Sequence, residues 1–381
     1  MRRKSHPCLT DHFPGLGVGL ADKAIQPVTA ASRPTFGIAL MGGGSWGAFT
    51  AGALEVLLPI LESVGDIKVI SGTSAGAINA TIATSGLNDK GAHEAVRRLK
   101  DVWDDVKGQG AWVNHLIPPR NMDFMLSADD RWPNIPKSYL VMINTLQAFN
   151  PGFSSGVTQL LSKLVKRHVP NWHSVQHGRV TCAVNTVREH ILTKSRQHMV
   201  LTSEDMTPDG VAASAALKIM GPHRIWDNPR LRSPQYVYLD GAYEQNPAMA
   251  PIFKEHPTDI FVIILNDHNA PESTLHGHAP NDKIYSREIH TDLAQLTLDD
   301  SNLTRIHAIE IEMSDGAING WHLNDTSKMN ASPEFIDALY KEGKKAARTW
   351  LLENRNQLGQ ESTYRPQNHA IEELVSHGMH F

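Results

Sequence analysis

Two glycine-rich junctions, GGGSWG at 42–47 and GTSAG at 72–76, constrain this chain more than any other feature, because each follows a short apolar run and opens a helical one. TFGIALM (35–41) reads as a buried strand and IKVIS (67–71) as a second. Ala48 to Leu58 reads as the first helix, with Phe49, Ala53, Val56 and Leu57 inward, and Pro59 is expected to end or kink it. AGAINATIAT (75–84) reads as the second helix, closing near Gly86. A strand-helix-strand-helix order implies right-handed crossovers. It predicts an α/β fold: a three-layer α/β/α sandwich with a mainly parallel central sheet.

Four later segments extend that sheet: RVTCAVNTV (179–187), YVYLDG (236–241), DIFVIIL (259–265) and RIHAIEIEM (305–313). Near the C-terminus Ser332 caps and Pro333 opens a helix in which Phe335, Ile336, Leu339, Ala346 and Trp350 recur at helical spacing. Residues 1–34 show neither period and read as a mobile N-terminal extension; 35–356 form the folded domain and 357–381 a polar tail. Within the domain, 107–175 is irregular and reads as an inserted helical or lid-like region. Its aromatic and Met-rich part, Trp112 to Phe153, suits the core of a helical layer better than a lipid-facing lid, with some of it bordering a substrate pocket.

Bulk properties exclude several classes of function. Lys plus Arg number 36 against 40 Asp plus Glu, a formal net charge of -4 without a long basic block, so no nucleic-acid partner is expected. The two cysteines, Cys8 and Cys182, have neither disulfide nor metal-site spacing. Apolar runs such as FVIIL (261–265) are too short to span a bilayer. The basic start MRRKSH precedes an apolar stretch broken by Pro14 and glycines, a poor signal peptide. The expected location is cytoplasmic or at a membrane surface, with export by a route that reads no cleavable signal left open.

The first junction has two readings. Gly42, Gly44 and Gly47 satisfy G-x-G-x-x-G, a pyrophosphate-binding fingerprint, while Gly42, Gly43 and Gly44 also suit amide donation to an oxyanion formed in acyl transfer. A dinucleotide fold needs an acidic residue about 20 positions beyond the glycines, and this chain has SGTSAG near there instead. Gly72-Thr73-Ser74-Ala75-Gly76 is G-x-S-x-G between a strand and a helix, the context of a nucleophile elbow. The plainer account is close helix-strand packing with Ser74 as an N-cap. The glycine run at the end of the neighbouring strand favours the catalytic account, with the amide of Ala75 joining the oxyanion donors.

A serine nucleophile needs a base. Asp240, in YVYLDGAYEQNPA, ends a strand-like run and should emerge at the same sheet edge as Ser74, although Asp-Gly alone is a common turn. Taken together, GGGSWG, GTSAG and DGAYEQNP, with VAASAALKIMGPHRI before the aspartate, resemble the patatin-like phospholipases from about Thr35 to the helix at 333–356. The resemblance implies a lipid acyl hydrolase in which Ser74 is the nucleophile, Asp240 the base of a two-residue dyad, and Gly42, Gly43 and Gly44 the oxyanion site. It implies a lipid substrate and transient contact with a lipid surface, and no cofactor or metal. The family usually carries Arg or Lys two positions after the third glycine; here Trp46 stands there. A free Asp has a pKa of about 3.9, so such a base needs a dry pocket to raise its proton affinity.

Alternatives use the same residues or their neighbours. His256, His268, His276, His278 and His290 follow Asp240, so a Ser-Asp-His order is available for a His-assisted esterase. Other ester classes, such as glycerides or a storage polyester, would suit the same dyad. His276-Gly277-His278 invites a metal reading but lies in a polar stretch without further ligands, and reads as a loop. A non-catalytic lipid- or nucleotide-binding module is the reading from a different class.

Overall fold

The computed structural model describes residues 33–116, 156–217, 222–265, 280–298, 304–311, 317–318, 321–323, 327–366, 370–371 and 374–375. Expectations for the N-terminal extension, for 117–155 and for His268, His276 and His278 lie outside the described residues.

Seven strands form one sheet: β1 (Thr35–Leu40), β2 (Asp66–Gly72), β3 (Thr181–His190), β4 (Arg196–Thr202), β5 (Tyr236–Asp240), β6 (Asp259–Ile264) and β7 (Arg305–Glu310). The order is β4-β3-β2-β1-β6-β7, with β5 also beside β3. From β3 to β7 every neighbouring pair is parallel, while β4 and β5 run antiparallel to β3. The interior strands read as continuous apolar runs because a parallel sheet flanked by helices is buried on both faces. In β6 every residue is buried. A short ribbon, β8 (Ala317–Ile318) with β9 (Trp321–His322), stands apart.

The helices flanking the sheet are α1 (Gly47–Val64), α2 (Ala75–Lys90), α3 (Ala92–Leu116), α4 (Gly156–His168), α5 (Trp172–His177), α6 (Pro208–Ser214), α7 (Ala250–Lys254), α8 (Pro280–Leu298) and α9 (Pro333–Asn354). Pro59 does not end α1, which runs on to Val64. Leu57, Leu58 and Leu61 stay buried on the core face, and that burial outweighs the roughly 3 kcal/mol local cost of an interior proline. Likewise α2 continues past Gly86 to Lys90. Ser332 occupies the N-cap position of α9, but its hydroxyl makes no capping bond. Its amide instead donates to Asn330 Oδ1 at 3.0 Å. Across the α1–α9 contact, Tyr340 donates to Glu55 at 2.7 Å and Lys344 pairs with the same carboxylate. The segment Gly44–Val64 is long and apolar enough to cross a bilayer by length and composition, yet most of it is buried in this core.

Candidate active site

Because Leu40 is the register partner of Gly72, β1 and β2 finish side by side, and the two glycine-rich junctions leave the sheet at one edge. The amide of Thr73 donates back to Leu40 O at 3.2 Å, tying the second junction to the first. Between β2 and α2 the backbone of Ser74 takes φ 55° and ψ -122°. A non-glycine residue held there stores roughly 1–3 kcal/mol of strain, and such strain collects at functional sites. Ser74 is half-buried, and its carbonyl accepts the first helical bonds, from the amides of Ala77 and Ile78.

The glycine run packs against this turn so closely that a Cβ on Gly42 would lie 2.7 Å from Ser74 Cβ. Gly44 has φ +55°, and a Cβ there would meet the Lys328 carbonyl oxygen at 2.2 Å. Gly42 itself is clamped by Asn246: its amide donates to Asn246 Oδ1 at 2.7 Å, and Asn246 Nδ2 donates to its carbonyl at 3.2 Å. The N–H of Gly42 is thus engaged by Asn246, which holds the loop against Ser74.

Asp240 reaches the same place from the other direction. β4 occupies one edge of β3 over residues 183–189, so β5 lies along the other edge, where β2 pairs with residues 181–184. On that shared edge Gly72 pairs with Val184 and Asp240 with Thr186. β2 and β5 therefore point at each other, their ends separated by two residues of β3, about 7 Å. The end of α6 and the residues just after it touch both ends: Ser214 Oγ accepts from the Ser74 amide at 2.9 Å, and the Ala216 carbonyl accepts from the Asp240 amide at 2.9 Å. Asp240 is 1% exposed. One of its oxygens accepts from the Ala242 amide at 2.9 Å, so the turn-forming reading of Asp-Gly also holds and fixes the carboxylate.

Trp46 is buried, and its indole N–H donates to Ser327 Oγ at 2.9 Å, 281 residues further along the chain. Lys328 Nζ lies 4.9 Å from the centre of its ring. A cation thus stands beside the position where the resemblance predicts one, supplied by a distant turn rather than by the glycine loop. Among the histidines considered as a third member, His290 is buried with Nδ1 3.0 Å from Tyr364 Oη. His256 sits in the turn before β6, at the opposite end of the sheet from Ser74. Sequence reasoning gave no role to Asn185, Asn246 or Ser214; the last two lie within the segments carrying the resemblance, and only the fold reveals what they bond.

A profile described as patatin-like phospholipase matches residues 38–252, more than half of the chain, and spans both junctions and Asp240. The chain belongs to the patatin-like phospholipase family. That family is one of lipid hydrolases, and the patatin-like region holds every residue expected at the site. Among solved structures, the chain is similar to VipD from Legionella pneumophila, with 13% identity, 91% of this chain and 74% of that chain covered, and a TM-score of 0.37. Human GIVD cytosolic phospholipase A2 gives 10% identity, 93% and 62% coverage, and a TM-score of 0.44. The ExoU–SpcU complex from Pseudomonas aeruginosa gives 13%, 85% and 52%, and a TM-score of 0.35. The chain thus spans between about half and three quarters of those proteins' lengths. No curated protein sequence matches it.

Proposed function

We propose that this protein hydrolyses fatty-acyl ester bonds of lipids through a covalent acyl-enzyme on Ser74, with Asp240 as general base. Ser74 Oγ attacks the ester carbonyl as Asp240 takes its proton, and the leaving alcohol receives that proton when the ester C–O bond breaks. Water then gives a proton to Asp240 and attacks the acyl-serine, releasing the fatty acid and restoring the hydroxyl. The amides of Gly43, Gly44 and Ala75 are the proposed donors to the oxyanion, each typically worth about 2.7–4 kcal/mol in comparable hydrolases.

What supports this reading is that β2 and β5 end on one edge of β3, with the strained Ser74 just beyond one end, the buried Asp240 at the other, and the glycine run packed against Ser74. Family membership supports a lipid substrate, and transient contact with a lipid surface is part of the proposal.

The test is labelling by a fluorophosphonate probe together with the masses of products released from a mixed lipid extract. Ser74→Ala is expected to abolish labelling and to lower hydrolysis by roughly 10³-fold or more, with Asp240→Asn close behind. Full activity in either variant refutes the dyad. Release from glycerides or a polyester, but not from phospholipid, keeps the chemistry and moves the substrate.

A further inference from the structure

The residue of β3 that lies between the facing ends of β2 and β5 is Asn185, which is fully buried. Its Oδ1 accepts from the Thr73 hydroxyl at 2.6 Å. Its Nδ2 donates to the Gly241 carbonyl at 3.3 Å and to the Gln245 carbonyl at 2.8 Å. One side-chain amide therefore joins the residue immediately before Ser74 to the residue immediately after Asp240. Contact is close on the second side: a Cβ on Gly241 would lie 2.6 Å from Asn185 Cγ.

The orientation of the amide follows from its partners. Two carbonyls need the NH₂ group, and a hydroxyl that donates needs the oxygen, so a flipped amide would set oxygen against two carbonyls. Aspartate at this position would keep the acceptor and lose both donors. Valine at 73 would keep the shape and lose the hydroxyl.

We propose that Asn185, acting with Thr73, is a positioning residue that fixes the separation and alignment of Ser74 and Asp240. The inference rests on the dyad proposed above and deepens it. Proton transfer within a dyad needs the hydroxyl and carboxylate within hydrogen-bond reach, and a displacement of about 1 Å costs on the order of 100-fold in rate. Both ends are registered by their ladders on β3 and touched by Ser214 and Ala216, and the Thr73–Asn185 bridge adds a side-chain link directly between the turns that carry Ser74 and Asp240. Such a bridge leaves substrate binding alone and acts on the chemical step.

The experiment compares wild-type protein with Thr73→Val, Thr73→Ser, Asn185→Asp, the Thr73→Val/Asn185→Asp double variant and Ser74→Ala, on a soluble p-nitrophenyl ester. It records kcat and KM separately, the rate of fluorophosphonate labelling, and Tm. Thr73→Val is expected to lower kcat and labelling roughly 10- to 100-fold with KM within about twofold of wild type, and Thr73→Ser to restore kcat to within a few-fold. Asn185→Asp is expected to lower kcat at least as far, with the double variant no worse than Asn185→Asp alone, since both break one bridge. If Asn185→Asp does not fold, the Thr73 pair decides. Wild-type kcat in Thr73→Val, or a loss that Thr73→Ser shares in full, overturns the inference; so do independent, multiplying losses in the double variant. Activity that survives Ser74→Ala would instead overturn the dyad itself, which keeps the two failures apart.

Discussion

At the sheet edge where β1, β2 and β5 finish, neutral side chains hold much of the backbone: Asn246 on Gly42, Ser214 on Ser74, and Asn185 with Thr73 between the two strand ends, with the Asp240 carboxylate capping its own turn. At the opposite edge, where β6 and β7 begin, the buried Asp259 carboxylate accepts from Thr258 at 2.6 Å and the Gly359 amide at 3.0 Å, and lies 3.0 Å from His307 and 3.2 Å from Arg305. Burial alone would raise the Asp259 carboxyl, but the bonds from His307, Thr258 and Gly359 and the charge of Arg305 outweigh it and hold it below the usual carboxylate range. One end thus fixes geometry with neutral groups, and the other neutralises a buried charge to anchor the chain beyond α9. The difference predicts that stability and the proposed catalysis answer to separate residues here.

The sharpest way to break that comparison is Asp259→Ala, which leaves His307 and Arg305 without their carboxylate. It is expected to cost about 3–5 kcal/mol in urea unfolding while kcat of the folded protein at low temperature stays near wild type. A matching fall in kcat would show that the two ends are coupled.

Next in size, Asn246→Ala leaves the Gly42 amide and carbonyl without their side-chain partner and lets the glycine loop shift against Ser74. A roughly 30- to 100-fold fall in kcat is expected, about 2–3 kcal/mol, with a smaller change in Tm. An unchanged kcat would mean that the loop is held by its other contacts.

The smallest expected effect concerns Asp209 on α6, the helix that ends in Ser214. Burial pushes this carboxyl up, but hydrogen bonds from His223, the Trp226 amide and Ser162 outweigh it and bring it down to about 2. A depressed folded-state pKa contributes stability above the unfolded value of about 3.9, lost as pH falls from there toward about 2. Acid unfolding of wild type and Asp209→Asn should therefore show an advantage of about 2 kcal/mol for wild type near neutrality that shrinks through this window. An advantage that persists unchanged below pH 2 would assign the effect to packing instead.

Much of the architecture was legible because it rests on local pattern. The apolar runs at 35–41, 67–71 and 259–265 and the small residues at the junctions announce buried strands and close turns without any partner in view. β4 was not anticipated: RQHMVLT begins exposed and mixes long polar side chains with apolar ones, since it is paired on one side only. The run of α1 through Pro59 was hidden because tertiary burial overrode a local rule. At the candidate site, Ser74 and Asp240 were the residues that motifs singled out. The bonds of Asn185 and Ser214 were not, since they join positions 112 and 140 residues apart whose pairing depends on topology. Nor does local pattern reveal that Lys328 stands over Trp46.

The antiparallel arrival of β5 on the edge of β3 already used by β2 makes β3 a ruler. Insertions in the surface loops on either side leave its scale untouched, but deleting a single residue between Val184 and Thr186 would move one strand end by a full step of about 3.3 Å and turn the following side chains to the other face. Chain length is therefore elastic in the surface loops and quantised along β3 between the two strand ends.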